Sequence, residues 1–401
     1  MKKKRSSAAL GAAFLMGVSA VGPGFLIQTS HYSARFLLPF LGILVLVTGM
    51  DLLVKANVWS VLGVSGLRAQ EAADRVLPGL GRILSVVIVF GALAFNVGNV
   101  GGAALGLQAA LGLPEKAGAA LAALLCAGLF LIPRARGHIG MLAVGLSAII
   151  VAAMAVVALS HPLGPVQAVA FLPRRAEAGR YLLPMLTLLG GASGGYIPYS
   201  GAHKLLEEGR GGSAKEAPFF RRSALLGSAV SGLIRLLFFF CVMGVCYADG
   251  ELVQENAVSV AGADNPAAAV FRLAGGKTGY RLFGLVLFSA SIACVIGATF
   301  TAVSFINTIH PTLRQHDGAV TACLLAVSAG ILLIFGGAGR LAILAGTVNG
   351  FVLPVSLGCV LLAGRKKAVV GAYRQPVVLE FTGWAIVVLS LVLAVRSIIQ
   401  L

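Results

Sequence analysis

Eleven stretches of this chain are long and apolar enough to cross a lipid bilayer, near 7–34, 36–62, 82–111, 115–133, 138–160, 181–205, 223–247, 279–306, 318–336, 338–362 and 377–397. Each spans the roughly 20 residues that a membrane helix needs. In lipid every backbone N–H and C=O must be satisfied inside the protein, so such stretches become helices rather than isolated strands or loops. Hydrophobic residues make up 58% of the chain and charged residues 11%, against about 25% charged in a soluble domain. The polar connections around 161–180, 207–222 and 248–278 are too short to carry a core of their own. The expected fold class is therefore an all-α membrane protein in a single transmembrane domain, 1–397.

The formal net charge of +17 does not point to nucleic acid, because the basic residues sit at membrane edges. With Lys2, Lys3, Lys4 and Arg5 placed in the cytoplasm, alternate loops hold nineteen Lys/Arg inside and ten outside, and Lys55 and Arg235 lie within spans. That asymmetry follows the positive-inside rule and predicts a multi-pass protein of the bacterial inner membrane with a cytoplasmic N-terminus. Arg174, Arg175 and Arg180 on the outer side depart from it. The apolar run from Ala8 to Val21 continues past Gly22, so it reads as a first span and not as a cleaved signal peptide. The six cysteines all fall within apolar stretches and form no C-x-x-C pair, as expected of buried inert thiols.

Two spans are interrupted near the middle, at Gly22-Pro23-Gly24 and at Gly190-Gly191-Ala192-Ser193-Gly194-Gly195 up to Pro198. Helices break inside a membrane only where the freed backbone faces protein, a cavity or a ligand, and a pair of breaks in corresponding segments points to a transporter's binding site. Gly24 and Gly194 are expected to tolerate no side chain there. Half-helix N-termini suit an anionic group; half-helix C-termini and free carbonyls suit a cation. Near the breaks stand Phe25, Gln28, Thr29 and Ser30, and Ser193, Tyr196, Tyr199 and Ser200, all without a carboxylate, imidazole or thioether. Transition metals or Mg²⁺ want such groups converging. The residue types fit a small organic solute better, and no metal site or cofactor is expected.

Four further polar groups lie inside spans. Asn96 and Asn99, one turn apart, either tie helices together or line the pathway. Asp51 and Lys55, at i and i+4, are either a coupling site or a neutralised structural pair. Arg235 has no local partner and is expected to snorkel to the cytoplasmic edge. Asn349, with Pro354 beyond it, predicts an irregularity in the tenth span.

The order of spans, the two breaks and Asn349-Gly350-Phe351-Val352-Leu353-Pro354 together resemble the NRAMP (natural resistance-associated macrophage protein) family of divalent-metal transporters, over nearly the whole chain. The resemblance implies a LeuT-type fold, with 5+5 inverted repeats (about 7–160 and about 181–362) and an eleventh helix (about 377–397). The family's Asp-Pro-Gly-Asn motif stands here as Gly22-Pro23-Gly24-Phe25, and its Met-Pro-His motif maps onto Gly195-Tyr196-Ile197. Its Asp-x-x-Glu pair, associated with proton movement, appears as Asn96 and Asn99. The chain is similar to a divergent bacterial branch lacking the metal-binding motifs, often encoded beside 5-oxoprolinase subunits, and its Gly-x-Gly looks like that of amino-acid transporters of the same fold.

The reading is a secondary transporter with no ATP-binding loop, moving a small organic acid or amino-acid derivative, with 5-oxoproline as a candidate. Substrate-binding candidates are Gly22, Gly24, Phe25, Gln28, Thr29, Gly191, Ser193, Gly194, Gly195, Tyr196, Asn96, Asn99 and Asn349; coupling candidates are Asp51 and Lys55, with H⁺ or Na⁺ as the coupling ion. The alternatives are a proton-coupled Mn/Mg-type metal transporter and a non-transporting membrane sensor. No enzyme is expected, since no nucleophile with an adjacent base can be placed.

Overall fold

The computed structural model describes residues 21–131, 148–149, 151–163, 170, 179–307, 309, 313 and 315–399. The start of the first span, Lys2 to Arg5, the first half of the fifth span, and Arg174 and Arg175 lie outside them. In chain order the helices are α1 (Pro23–Phe36), α2 (Phe40–Ser65), α3 (Ala69–Asp74), α4 (Leu80–Leu111), α5 (Glu115–Leu131), α6 (Val151–Ser160), α7 (Leu182–Ser193) and α8 (Ile197–Glu207). They continue as α9 (Ala217–Cys246), α10 (Gln254–Gly262), α11 (Pro266–Ile306), α12 (Asp317–Phe335), α13 (Ala338–Arg365), α14 (Lys367–Val370) and α15 (Val377–Ile399). Among the described residues, seven helical segments are long and apolar enough to cross a membrane: α2, α4, α9 (with the turn before it), α11, α12, α13 and α15. The sixth span falls short because it is broken between α7 and α8, as the sequence predicts.

Local chemistry sets the ends. Proline occupies the first turn of α1, α8, α9 and α11, where its missing N–H removes no intrahelical bond. Left-handed Gly66 and Gly112 terminate α2 and α4. The 248–278 connection is not plain loop: it holds a two-residue hairpin (β1 Tyr247–Ala248, β2 Glu251–Leu252), α10, and the first part of α11, which kinks at Gly275 and Gly276. The tenth span corrects an expectation. α13 runs unbroken through Pro354.

α4 forms the centre, packed on α11 and α13, while α9 lies along α2 and α13 along α7. Large apolar side chains such as Phe90, Leu233 and Phe381 stay exposed on the outer faces, the surface a bilayer covers. Cys323 is also exposed, unlike the other five cysteines, which are buried. Two cavities open at opposite ends of the bundle. One, of about 770 Å³, lies between Arg68, Glu207, Asn307 and Thr321; the other, of about 420 Å³, lies between His31, Arg35, Pro184 and Ser397.

Candidate functional site

Between the two cavities the helix breaks meet. The second break is narrower than its glycine run suggests: α7 stays helical through Gly190, Gly191 and Ser193, and the chain leaves the helix only over Gly194–Tyr196, with Gly195 at φ 57°. That left-handed backbone favours glycine. A Cβ on Gly190 would collide with the Gly346 carbonyl and the Gly350 amide, so here α7 and α13 pack backbone against backbone. Trp59 Nε1 donates to the Pro198 carbonyl at 2.8 Å and ties the start of α8 to α2. At the first break Val21 and Gly22 are the non-helical residues among those described, while Pro23 and Gly24 already belong to α1. A Cβ on Gly24 would make only ordinary contacts, 3.5 Å from Gln28 Nε2 and 3.6 Å from the Ala342 carbonyl. Within the protein, then, a small side chain at Gly24 meets no clash. Gly22 is the tight one, its Cβ position lying 2.9 Å from Cys294 Sγ. Gly194 keeps its restriction through close approach to the Asn349 carbonyl, its own backbone being extended.

Buried amides converge on these breaks. Gln28 Nε2 donates to the Ala342 carbonyl at 2.9 Å, and its Oε1 lies against Gly191. Asn349 Nδ2 donates to the carbonyls of Gly91 (2.9 Å) and Ala345 (2.8 Å), and its Oδ1 lies against Gly195. The Tyr196 ring packs edge-on against Phe95 with centroids 5.6 Å apart, and the Asn99 side chain stands beside Gly22. Asn96 turns away to donate to Thr299 Oγ1 on α11 at 2.9 Å, so of the two asparagines it ties helices together and Asn99 faces the breaks. Five side-chain atoms of this group have no hydrogen-bond partner among the described residues: Gln28 Oε1, Thr29 Oγ1, Asn96 Oδ1, Asn99 Nδ2 and Asn349 Oδ1. Buried polar groups are nearly always paired. So many orphans in one region mark a place where a ligand or water completes the bonding.

A charged cluster adjoins the breaks. Lys55 Nζ lies 2.8 Å from Asp51 Oδ1 and 2.9 Å from Oδ2, and the Ser193 hydroxyl at the end of α7 donates to Asp51 Oδ1. The pair thus forms along α2 and also reaches the break. Arg235 does not snorkel. It is 2% exposed, with Asp51 at 3% and Lys55 at 0%, and its guanidinium stands 4.4 Å from the centroid of the Phe25 ring. Arg235, Asp51 and Lys55 act on one another electrostatically, two cations to one carboxylate. The sequence hid Arg235 because its partner is an aromatic ring distant in the chain. The clue available was an arginine in the interior of an apolar span, by default a functional residue.

The chain's residues 13–400 match the family model described as natural resistance-associated macrophage protein-like. The chain belongs to this family. Nramp relatives include the uncharacterised membrane protein YcsG of Bacillus subtilis, 35% identical over 97% of this chain and 93% of that protein. An uncharacterised membrane protein of Haemophilus influenzae is 34% identical over 99% of this chain and 97% of its own length. Among solved structures, a mutant of the Eremococcus coleocola manganese transporter superposes with a TM-score of 0.74 at 16% identity, covering 97% of this chain and 86% of that one. The same transporter bound to an aromatic bis-isothiourea compound gives 0.73 at 17% identity over 98% and 86%. The fold is the LeuT-type fold of an Nramp transporter, and the architecture is that of a transporter and not of an enzyme.

Proposed function

We propose that this Nramp protein is a secondary transporter carrying a small organic acid or amino-acid derivative across the bacterial inner membrane, with 5-oxoproline as the first candidate. The observation that carries the reading is the set of orphaned polar atoms at the breaks. They are neutral and of both kinds: Asn99 Nδ2 offers a donor, while Gln28, Thr29 and Asn349 offer acceptors. A metal ion answers acceptors alone; a solute with a carboxylate, a lactam N–H and a lactam C=O answers both. Gly22, Gly24, Phe25, Gly191, Gly194, Gly195 and Tyr196 supply backbone and aromatic surface around it, within repeats of about 7–160 and 181–362. Asp51 and Lys55 are the coupling candidates, for H⁺ or Na⁺, and the N-terminus is cytoplasmic.

A second reading, a divalent metal ion as substrate, is favoured by the likeness to manganese transporters. Uptake into proteoliposomes separates the two. The organic-acid reading expects saturable accumulation of labelled 5-oxoproline that excess unlabelled acid blocks and Mn²⁺ does not. Accumulation of Mn²⁺ with no uptake of any small carboxylate overturns it.

A further inference from the structure

Arg235 stands in the interior of α9, buried and against Phe25, which opens α1 just after the first break. Its Nε and Nη2 meet no hydrogen-bond acceptor among the described residues. The nearby carboxylate does not supply one. Asp51 is held on both oxygens by Lys55 and also accepts from Ser193. Buried guanidinium N–H groups without an acceptor are strongly unfavourable, and one more negative charge would balance the cluster. The identity of the two free atoms is informative. Nε and Nη2 form the side edge of the guanidinium, whose two parallel N–H groups match the two oxygens of a carboxylate. The Phe25 ring packs against that guanidinium by a cation–π contact.

We propose that Arg235 is the specificity-determining residue of this transporter, receiving the carboxylate of a small monoanionic solute on its Nε/Nη2 edge beside Phe25. The assignment rests on the organic-acid reading and adds its charge selectivity. One monoanion neutralises the excess cation, whereas a divalent cation would raise it. The Asp51–Lys55 pair also ties the end of α7 to α2 through Ser193.

The test uses the full-length protein in nanodiscs with three probes, 5-oxoproline, lactate and pyruvate, each beside its carboxamide. The wild type is expected to bind at least one acid about 100-fold more tightly than its carboxamide, and Arg235→Met to lose about 100-fold in affinity for that acid while its carboxamide affinity is unchanged. Arg235→Met without ligand is also expected to melt at or above the wild-type temperature, because it removes an unpaired buried charge. Should that variant not fold, Arg235→Lys keeps the charge without the fork and is expected to bind the acid about tenfold more weakly. Acid binding undiminished in Arg235→Met, or in Arg235→Lys where only that variant folds, overturns the Arg235 assignment and leaves the organic-acid reading in place. A wild type that binds none of the three acids overturns both.

Discussion

Asp51 holds together groups from two helices, and its removal leaves more behind than the removal of its partner. Asp51→Asn strands two buried cations, Lys55 and Arg235, and releases Ser193. Lys55→Met leaves Asp51 with Ser193 and the Arg235 charge nearby. Breaking a buried pair at one end costs about 3–5 kcal/mol. Thermal unfolding in detergent micelles should therefore rank Asp51→Asn as the more destabilised, with Lys55→Met in between and the wild type highest; equal melting temperatures would mean the cluster carries little stability. Asn349 makes a parallel case with neutral groups. Asn349→Ala removes the side-chain donation to Gly91 on α4, whose carbonyl keeps its helical bond, a loss of about 0.5–1.5 kcal/mol that the same assay reads.

The two broken spans were legible in the sequence because glycine and proline announce freed backbone, but their extents were not. Gly190 and Gly191 look like part of the break, yet they are helical and serve packing against α13 and Gln28, contacts with partners more than a hundred residues away in the chain. Conversely Pro354 looks like an interruption, yet α13 continues through it. Arg235 was misjudged for the same reason: what surrounds a side chain inside a bundle is set by helices far along the chain. The corrected geometry gives a paired expectation. Gly190→Val forces α7 off the α13 backbone and should abolish folded, membrane-inserted protein in size-exclusion profiles, while Gly24→Ala should leave the profile close to wild type. Folded Gly190→Val protein would show that the α7–α13 contact yields more easily than close packing allows.

The bundle has cavities at its two ends and buried, orphaned polar groups between them, an arrangement suited to a solute reached from one side at a time. The proposed cytoplasmic N-terminus would put the Arg68–Thr321 cavity on the cytoplasmic side. A membrane-impermeant thiol reagent applied to intact cells should label Leu183→Cys and spare Thr321→Cys until the membrane is opened; the reverse pattern would invert the orientation. Family membership and fold were readable from the order of spans and the breaks, while the substrate lies in the chemistry of a few side chains, and fold alone does not carry it. The most direct measurement is a calorimetric titration of the purified protein with 5-oxoproline and, separately, with Mn²⁺. The account expects saturable heat for the acid and none for the metal at the breaks. Saturable Mn²⁺ binding that is lost when Gly22 or Gly195 is replaced, with no heat from the acid, would contradict it.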